Sequence, residues 1–209
     1  MTCFDCDKVI TVRLAFKVEI MLSIIIPADG VEHPVVATLA PLVSGAATGV
    51  VREVLLVDPG DNNVIARVAD VAGCRFVPFR GSRSAAMAAG ARQARSPWLM
   101  FLHAGAVLDH GWIDETVQFM QRVSNADRPR AGVFRYARSP YADRSLRDGL
   151  RSVARMIAGP FPDQGLLIAR DHYDRLGGHQ PDAGHSEAQL LRQLGRSSLT
   201  LLHSRIVTA

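Results

Sequence analysis

The sequence predicts an α/β fold, a mostly parallel sheet with helices on both faces. Three observations carry this. Strand-length runs of branched aliphatics recur along the first 125 residues, each followed by a helix-length stretch. Those runs are near-continuously apolar rather than alternating, the pattern of strands covered on both sides. The chain of 209 residues, 48% hydrophobic and 21% charged, also has the make-up of one ordinary globular domain.

The elements follow in order. Leu22–Pro27 reads as a buried strand, then 35–43 as a helix. A second strand, Val51–Asp58, precedes a helix over 63–72 that carries Val64, Val68 and Val71 on one side. Residues 74–79 form a third strand and 84–94 an alanine-rich helix of high intrinsic propensity. Residues 98–102 make a fourth strand; over 113–123, Ile113, Val117, Met120 and Val123 share a helical face. Beyond Asn125 the pattern loosens into strands at 133–137 and 165–169, a short helix at 186–194 and a last strand at 198–207. The turn-rich Gly159-Pro160-Phe161-Pro162 lies between the first two of these. Domain organisation is then a single unit over 21–209, with residues 1–20 an added strand or a loosely attached extension.

No apolar run approaches the roughly 20 residues of a spanning helix. Three cysteines cannot build a disulfide framework, and no secretory signal opens the chain, so a cytoplasmic location is the expectation. Net charge is +4 but uneven: residues 128–155 hold eight arginines against two aspartates, leaving the remainder slightly acidic. Within that block Arg144, Arg147, Arg151 and Arg155 stack along one helical face, opposite Leu146, Leu150, Val153 and Ile157. A solvated polar face is one account. The other is peripheral contact with anionic lipid headgroups or a lipid-linked phosphate acceptor at the inner face of the membrane. Nucleic acid is not the expected partner.

Four places could carry chemistry, and each has a structural account beside it. Asp58, at the end of the second strand in Val57-Asp58-Pro59-Gly60, is placed to contact a base or ribose, or merely to shape a turn. Phe101-Leu102-His103-Ala104-Gly105 leaves the fourth strand where a sugar-nucleotide enzyme would hold a divalent cation, with His103 either a ligand or a core residue. Asp163-Gln164-Gly165 precedes a strand and either meets a sugar or acceptor or forms a tight turn. Glu187, in the first turn of its helix, complements the helix dipole or acts as a general base. Other motifs say less. Cys3-X-X-Cys6 lacks a second ligand pair for zinc, and Asp5-Cys6-Asp7 does not follow a strand. Gly81-Ser82-Arg83-Ser84 could cradle phosphate at a helix start but lacks the P-loop ending.

In this order and spacing, these segments resemble the family-2 glycosyltransferases of the GT-A fold. The likeness is greatest to a small bacterial branch with a His-Ala-Asp-Thr run after the fourth strand, and it spans Leu22 to about Thr208. It implies a GT-A-like domain transferring a sugar from a nucleotide-diphosphate sugar to a hydroxyl acceptor, with inversion. It assigns Pro27, Asp58, Gly81, Met87, Gly90 and His103 to the nucleotide sugar, Asp163 and Gln164 to acceptor or sugar, and Glu187 to catalysis. Mg or Mn is the implied cofactor, yet Gly105 stands where the metal-binding aspartate is expected, leaving His103 as a weak substitute ligand. Ala88 replaces a common asparagine, and Asp29-Gly30 the usual Asn-Glu. A catalytically inactive relative that binds a nucleotide or glycan is the alternative, and a nucleotidyltransferase-like protein a weaker one.

Overall fold

A computed structural model describes residues 20–61, 63–126, 128–137, 164–181 and 186–208. The chain begins with β1 (Leu22–Pro27), a strand buried along its whole length. Two short helices, α1 (Glu32–Leu39) and α2 (Leu42–Ala47), lead to β2 (Val51–Asp58). They replace the single helix expected over 35–43. Pro41 has no N–H to continue the first helix and instead caps the second. Next come α3 (Val64–Ala72), β3 (Arg75–Pro78), α4 (Arg83–Gln93) and β4 (Trp98–Phe101). Ser82 caps α4, its hydroxyl accepting the amide of Ala85 at 3.2 Å.

The second half contains β5 (Ala106–Leu108), α5 (Trp112–Ser124), β6 (Ala131–Ala137), β7 (Leu166–Ala169), α6 (Arg170–Arg175), α7 (Ser186–Ser198) and β8 (Leu199–Thr208). Gly195 interrupts α7 with a non-helical backbone. The eight strands form one sheet in the order β3-β2-β1-β4-β7-β6-β8-β5. Strands β1 to β4 pair in parallel, as does β6 with β8, whereas β7 runs antiparallel to both β4 and β6. The α/β architecture read from the sequence is therefore the one observed. Both β5, three residues long, and α6 escape the periodicity argument because neither is long enough to show a period.

Two apolar layers flank the sheet. One contains Val35, Leu39, Ile65, Trp112 and Phe119 from α1, α3 and α5; the other contains Met87, Ala91, Tyr173, Leu190 and Leu194 from α4, α6 and α7. The buried arc of α5 is wider than expected, with Trp112, Thr116 and Phe119 inside while Ile113, Val117 and Val123 are only partly covered. On α3 the buried positions are Ile65 and Ala69; Val71 is 89% exposed. Val36, Val43, Val64, Val68 and Val71 line a surface groove between α1 and α3.

Among the described residues no helix is long and apolar enough to cross a membrane. The extension 1–19, the arginine face Arg144, Arg147, Arg151 and Arg155, the turn at 159–162 and Asp163 lie outside the described residues.

Glu115 of α5 clamps the last strand. Its carboxylate accepts the amides of His203 at 2.6 Å and Ser204 at 2.7 Å. Burial alone would raise its pKa, but these bonds and the His203 ring outweigh burial and bring it from 4.5 to about 2. A lowered carboxylate pKa means stability that is present above pH 4.5 and is lost as pH falls toward 2. Glu115→Ala is therefore expected to cost about 2 kcal/mol at neutral pH. It should also flatten the acid limb of the unfolding free energy, which urea titrations between pH 2 and 7 would measure.

Candidate functional site

The parallel strands end with their carboxyl termini on one edge, and there the polar residues collect, as ligand sites do in open α/β sheets. Asp58, 2% exposed, terminates β2. One carboxylate oxygen accepts the amide of Gly30 at 2.8 Å and the other the amide of Gly60 at 2.8 Å. The side chain thus ties the loop after β1, where Pro27 is buried at the strand end, to the loop after β2. Each oxygen keeps a second lone pair that a ligand hydroxyl could use.

A narrow, partly open cleft lies beside β4. Met87 of α4, Phe101 and His103 from β4 and its exit, Gly165 and Leu166 at the start of β7, His179, and Glu187 and Leu191 of α7 line it. The antiparallel register places Phe101 opposite Leu166, and this brings the Asp-Gln-Gly segment to the fourth strand. Gln164 donates from Nε2 to the carbonyl of Phe134 at 3.2 Å. Glu187 lies 3.4 Å from Arg83 and 4.0 Å from Nε2 of His103. Its side chain is only 15% exposed while that of Arg83 is 43% exposed. A carboxylate, an imidazole and a guanidinium thus meet at one wall.

Several expected residues therefore converge: Met87, His103 and Glu187 line the cleft, and Gln164 adjoins its Gly165 wall. Gly81 is exposed in the loop before α4, and Asp58 lies at the end of β2, two strands away from β4. Gly90 is elsewhere in character. It sits where α4 crosses the sheet, and a Cβ there would lie 2.5 Å from Ile25 and 3.2 Å from Val57.

The metal question turns on Gly105. Its φ is +93°, a conformation that side-chain-bearing residues rarely adopt, and its amide donates to Pro34 at 2.9 Å and Thr38 at 2.8 Å. An aspartate at 105 would bear backbone strain of about 1–3 kcal/mol. Hard divalent cations need several oxygen ligands, yet among the described residues no group of three His, Cys, Asp or Glu side chains could hold one. The donors among the described residues do not by themselves fit a protein-held Mg or Mn ion.

Two participants were not assigned by the sequence reading. Arg83 stood out only within the phosphate-cradle segment, and His179 not at all. Tertiary contacts bring His179 to the cleft and Arg83 to the Glu187 carboxylate: the hydroxyl of Ser82 donates to the carbonyl of Pro181 at 3.0 Å, fastening the start of α4 to the 177–181 turn. The Gly177-Gly178 pair was the available local signal for that turn.

No family model matches this chain, and no curated protein does. Among solved structures, a mycobacterial protein is similar over 93% of this chain and 68% of its own length, with a TM-score of 0.62 and 18% identity. The mannosyltransferase PcManGT from Pyrobaculum calidifontis, solved with GDP-Man and Mn2+, also has a TM-score of 0.62, at 16% identity. That match covers 90% of this chain, which spans 56% of the mannosyltransferase. At identities this low the structural similarity establishes the fold alone, an α/β domain of GT-A type.

Gly90→Ala is expected to destabilise the protein by about 1–3 kcal/mol through overpacking against Ile25 and Val57. Denaturant unfolding measures this.

Proposed function

We propose that this chain is a glycosyltransferase that moves a sugar from a nucleoside-diphosphate sugar to a hydroxyl acceptor. The observation that carries the reading is the placement of Glu187, beside His103 and Arg83, at a cleft on the carboxyl edge of a GT-A-type sheet. The mannosyltransferase with this fold holds GDP-Man, which supports a nucleotide-sugar donor here.

In this reading Asp58 orders the two loops that receive the nucleotide and offers its remaining lone pairs to it. The start of α4, capped by Ser82 and carrying Arg83, faces the diphosphate, since a helix N-terminus and a guanidinium both favour anionic oxygens. Glu187 accepts the proton of the acceptor hydroxyl. As the acceptor oxygen forms its bond to the anomeric carbon, the bond from that carbon to the diphosphate oxygen breaks, and the nucleoside diphosphate leaves with the electron pair. Arg83, within 3.4 Å of Glu187, keeps the base in position before transfer and offsets the leaving-group charge afterwards. Pro27, Gly81, Met87 and Gly90 shape the donor side, while Asp163 and Gln164 belong to the sugar or acceptor side. No step is assigned to a cation.

A second reading, a nucleotide- or glycan-binding relative without turnover, is favoured by Gly105 at the position of the expected metal aspartate. It predicts donor binding with neither transfer nor slow hydrolysis.

Glu187→Gln separates the two. For an enzyme it should lower turnover by roughly 100-fold or more while nucleotide-sugar affinity stays nearly constant, because general-base removal acts on the chemical step. Donor hydrolysis or transfer rates, with calorimetric binding in parallel, decide it; equal rates in variant and wild type would take the base role from Glu187.

A further inference from the structure

His179 occupies an unusual position in the cleft. It follows Gly177 and Gly178, both at positive φ, and a Cβ on Gly178 would lie 2.7 Å from the Tyr173 ring. The bare backbone can therefore run close against that ring, where the amide of His179 donates to Tyr173 Oη at 3.0 Å. The same oxygen lies 3.0 Å from Nδ1 of the His179 imidazole. Burial pushes the phenol up to about 12, so it keeps its proton. With the amide donating to Oη, the arrangement that satisfies both groups has the phenolic proton donated to Nδ1 as the unprotonated ring nitrogen. Burial also lowers the imidazole to about 4, so it is neutral at physiological pH. A neutral ring with Nδ1 accepting carries its proton on Nε2.

Packing locks this ring in place. Phe101 meets it edge-on with centroids 4.7 Å apart, and itself stacks on Tyr173 at 5.2 Å. Among the described residues Nε2 has no hydrogen-bond partner. The residue is 5% exposed yet lines the cleft. Nε2, the ring nitrogen not engaged by Tyr173, is the one left for a ligand hydroxyl to meet in place of water.

We propose that His179 is a sugar-binding residue whose Nε2–H donates to a hydroxyl oxygen of the donor's sugar, with Tyr173 as the positioning residue that sets its tautomer. The inference rests on the glycosyltransferase reading of the same cleft. A hydroxyl fits better than a phosphate because the donor is uncharged, the surrounding wall is apolar, and the nearby Glu187 carboxylate disfavours an anion. Arg83, at the start of α4, is the group suited to the diphosphate.

The test measures calorimetric affinities of GDP-mannose and UDP-glucose beside GDP and UDP, for wild type, His179→Phe and His179→Gln. Loss of one neutral hydrogen bond predicts that His179→Phe weakens the bound nucleotide sugar by roughly 3- to 10-fold and leaves the free diphosphate unchanged. His179→Gln, which retains a side-chain N–H, should recover part of the loss. Equal sugar-to-diphosphate affinity ratios in wild type and His179→Phe would overturn the proposal while leaving the functional reading intact. A uniform weakening of both ligands would also overturn it, marking a structural role. Binding of none of the four ligands to the wild type would sink the functional reading and this proposal with it. Should His179→Phe fail to fold, nitrogen NMR of wild-type histidine gives the answer. The Nε2–H tautomer is expected, with a resonance that moves on adding nucleotide sugar but not diphosphate; the opposite tautomer, or no movement, overturns the proposal.

Discussion

Everything at the carboxyl edge depends on the antiparallel seating of β7 against β4. That pairing sets Trp98 opposite Ala169 and Phe101 opposite Leu166, which fixes where Gly165 meets the exit of β4. Arg170, immediately after β7, secures the far end of the strand. Its guanidinium donates to the carbonyls of Ser96, Ala91 and Ala94 at 3.0, 3.0 and 2.7 Å. The last two belong to the end of α4, so one side chain holds the helix, the β4 approach and β7 in common register. Were β7 to slip by one residue, its alternate side chains would exchange faces and Leu166 would leave the cleft.

From that seating follows a division of labour. The β2 end uses Asp58 to hold two loops by backbone amides, a geometric task. The β4 side gathers titratable groups: Glu187, His103 and Arg83 at one wall, and the neutral His179 behind Phe101. The apolar layer of Met87, Phe101, Leu166 and Leu190 separates these from the core of the other face.

The fold was largely legible because β1, β4 and most of β2 are covered on both faces and so read as near-continuous apolar runs. The helix over 35–43 was misjudged at Pro41, where the apolar spacing continues but the backbone hydrogen bond cannot. Glu187 and His103 could be picked out because each sits at a fixed distance from an element end, a local property. His179 could not. Its role comes from Tyr173, six residues earlier, and from Phe101 on another strand, and neither contact leaves a period or motif. Gly90 shows the reverse case: it lay within a recognisable segment, yet its surroundings are Ile25 and Val57.

A glycosyltransferase of this build would receive the sugar nucleotide in the cleft beside β4. Methyl NMR of the full chain, titrated with GDP-mannose and UDP-glucose, tests it most directly, because the molecule contains its own control. The methyl signals of Met87, Leu166 and Leu191 are expected to move on addition of one of these donors, while those of Val36, Val43 and Val71 in the groove on the other layer stay still. Movement confined to the Val36, Val43 and Val71 signals, or no movement anywhere at millimolar donor, would contradict it.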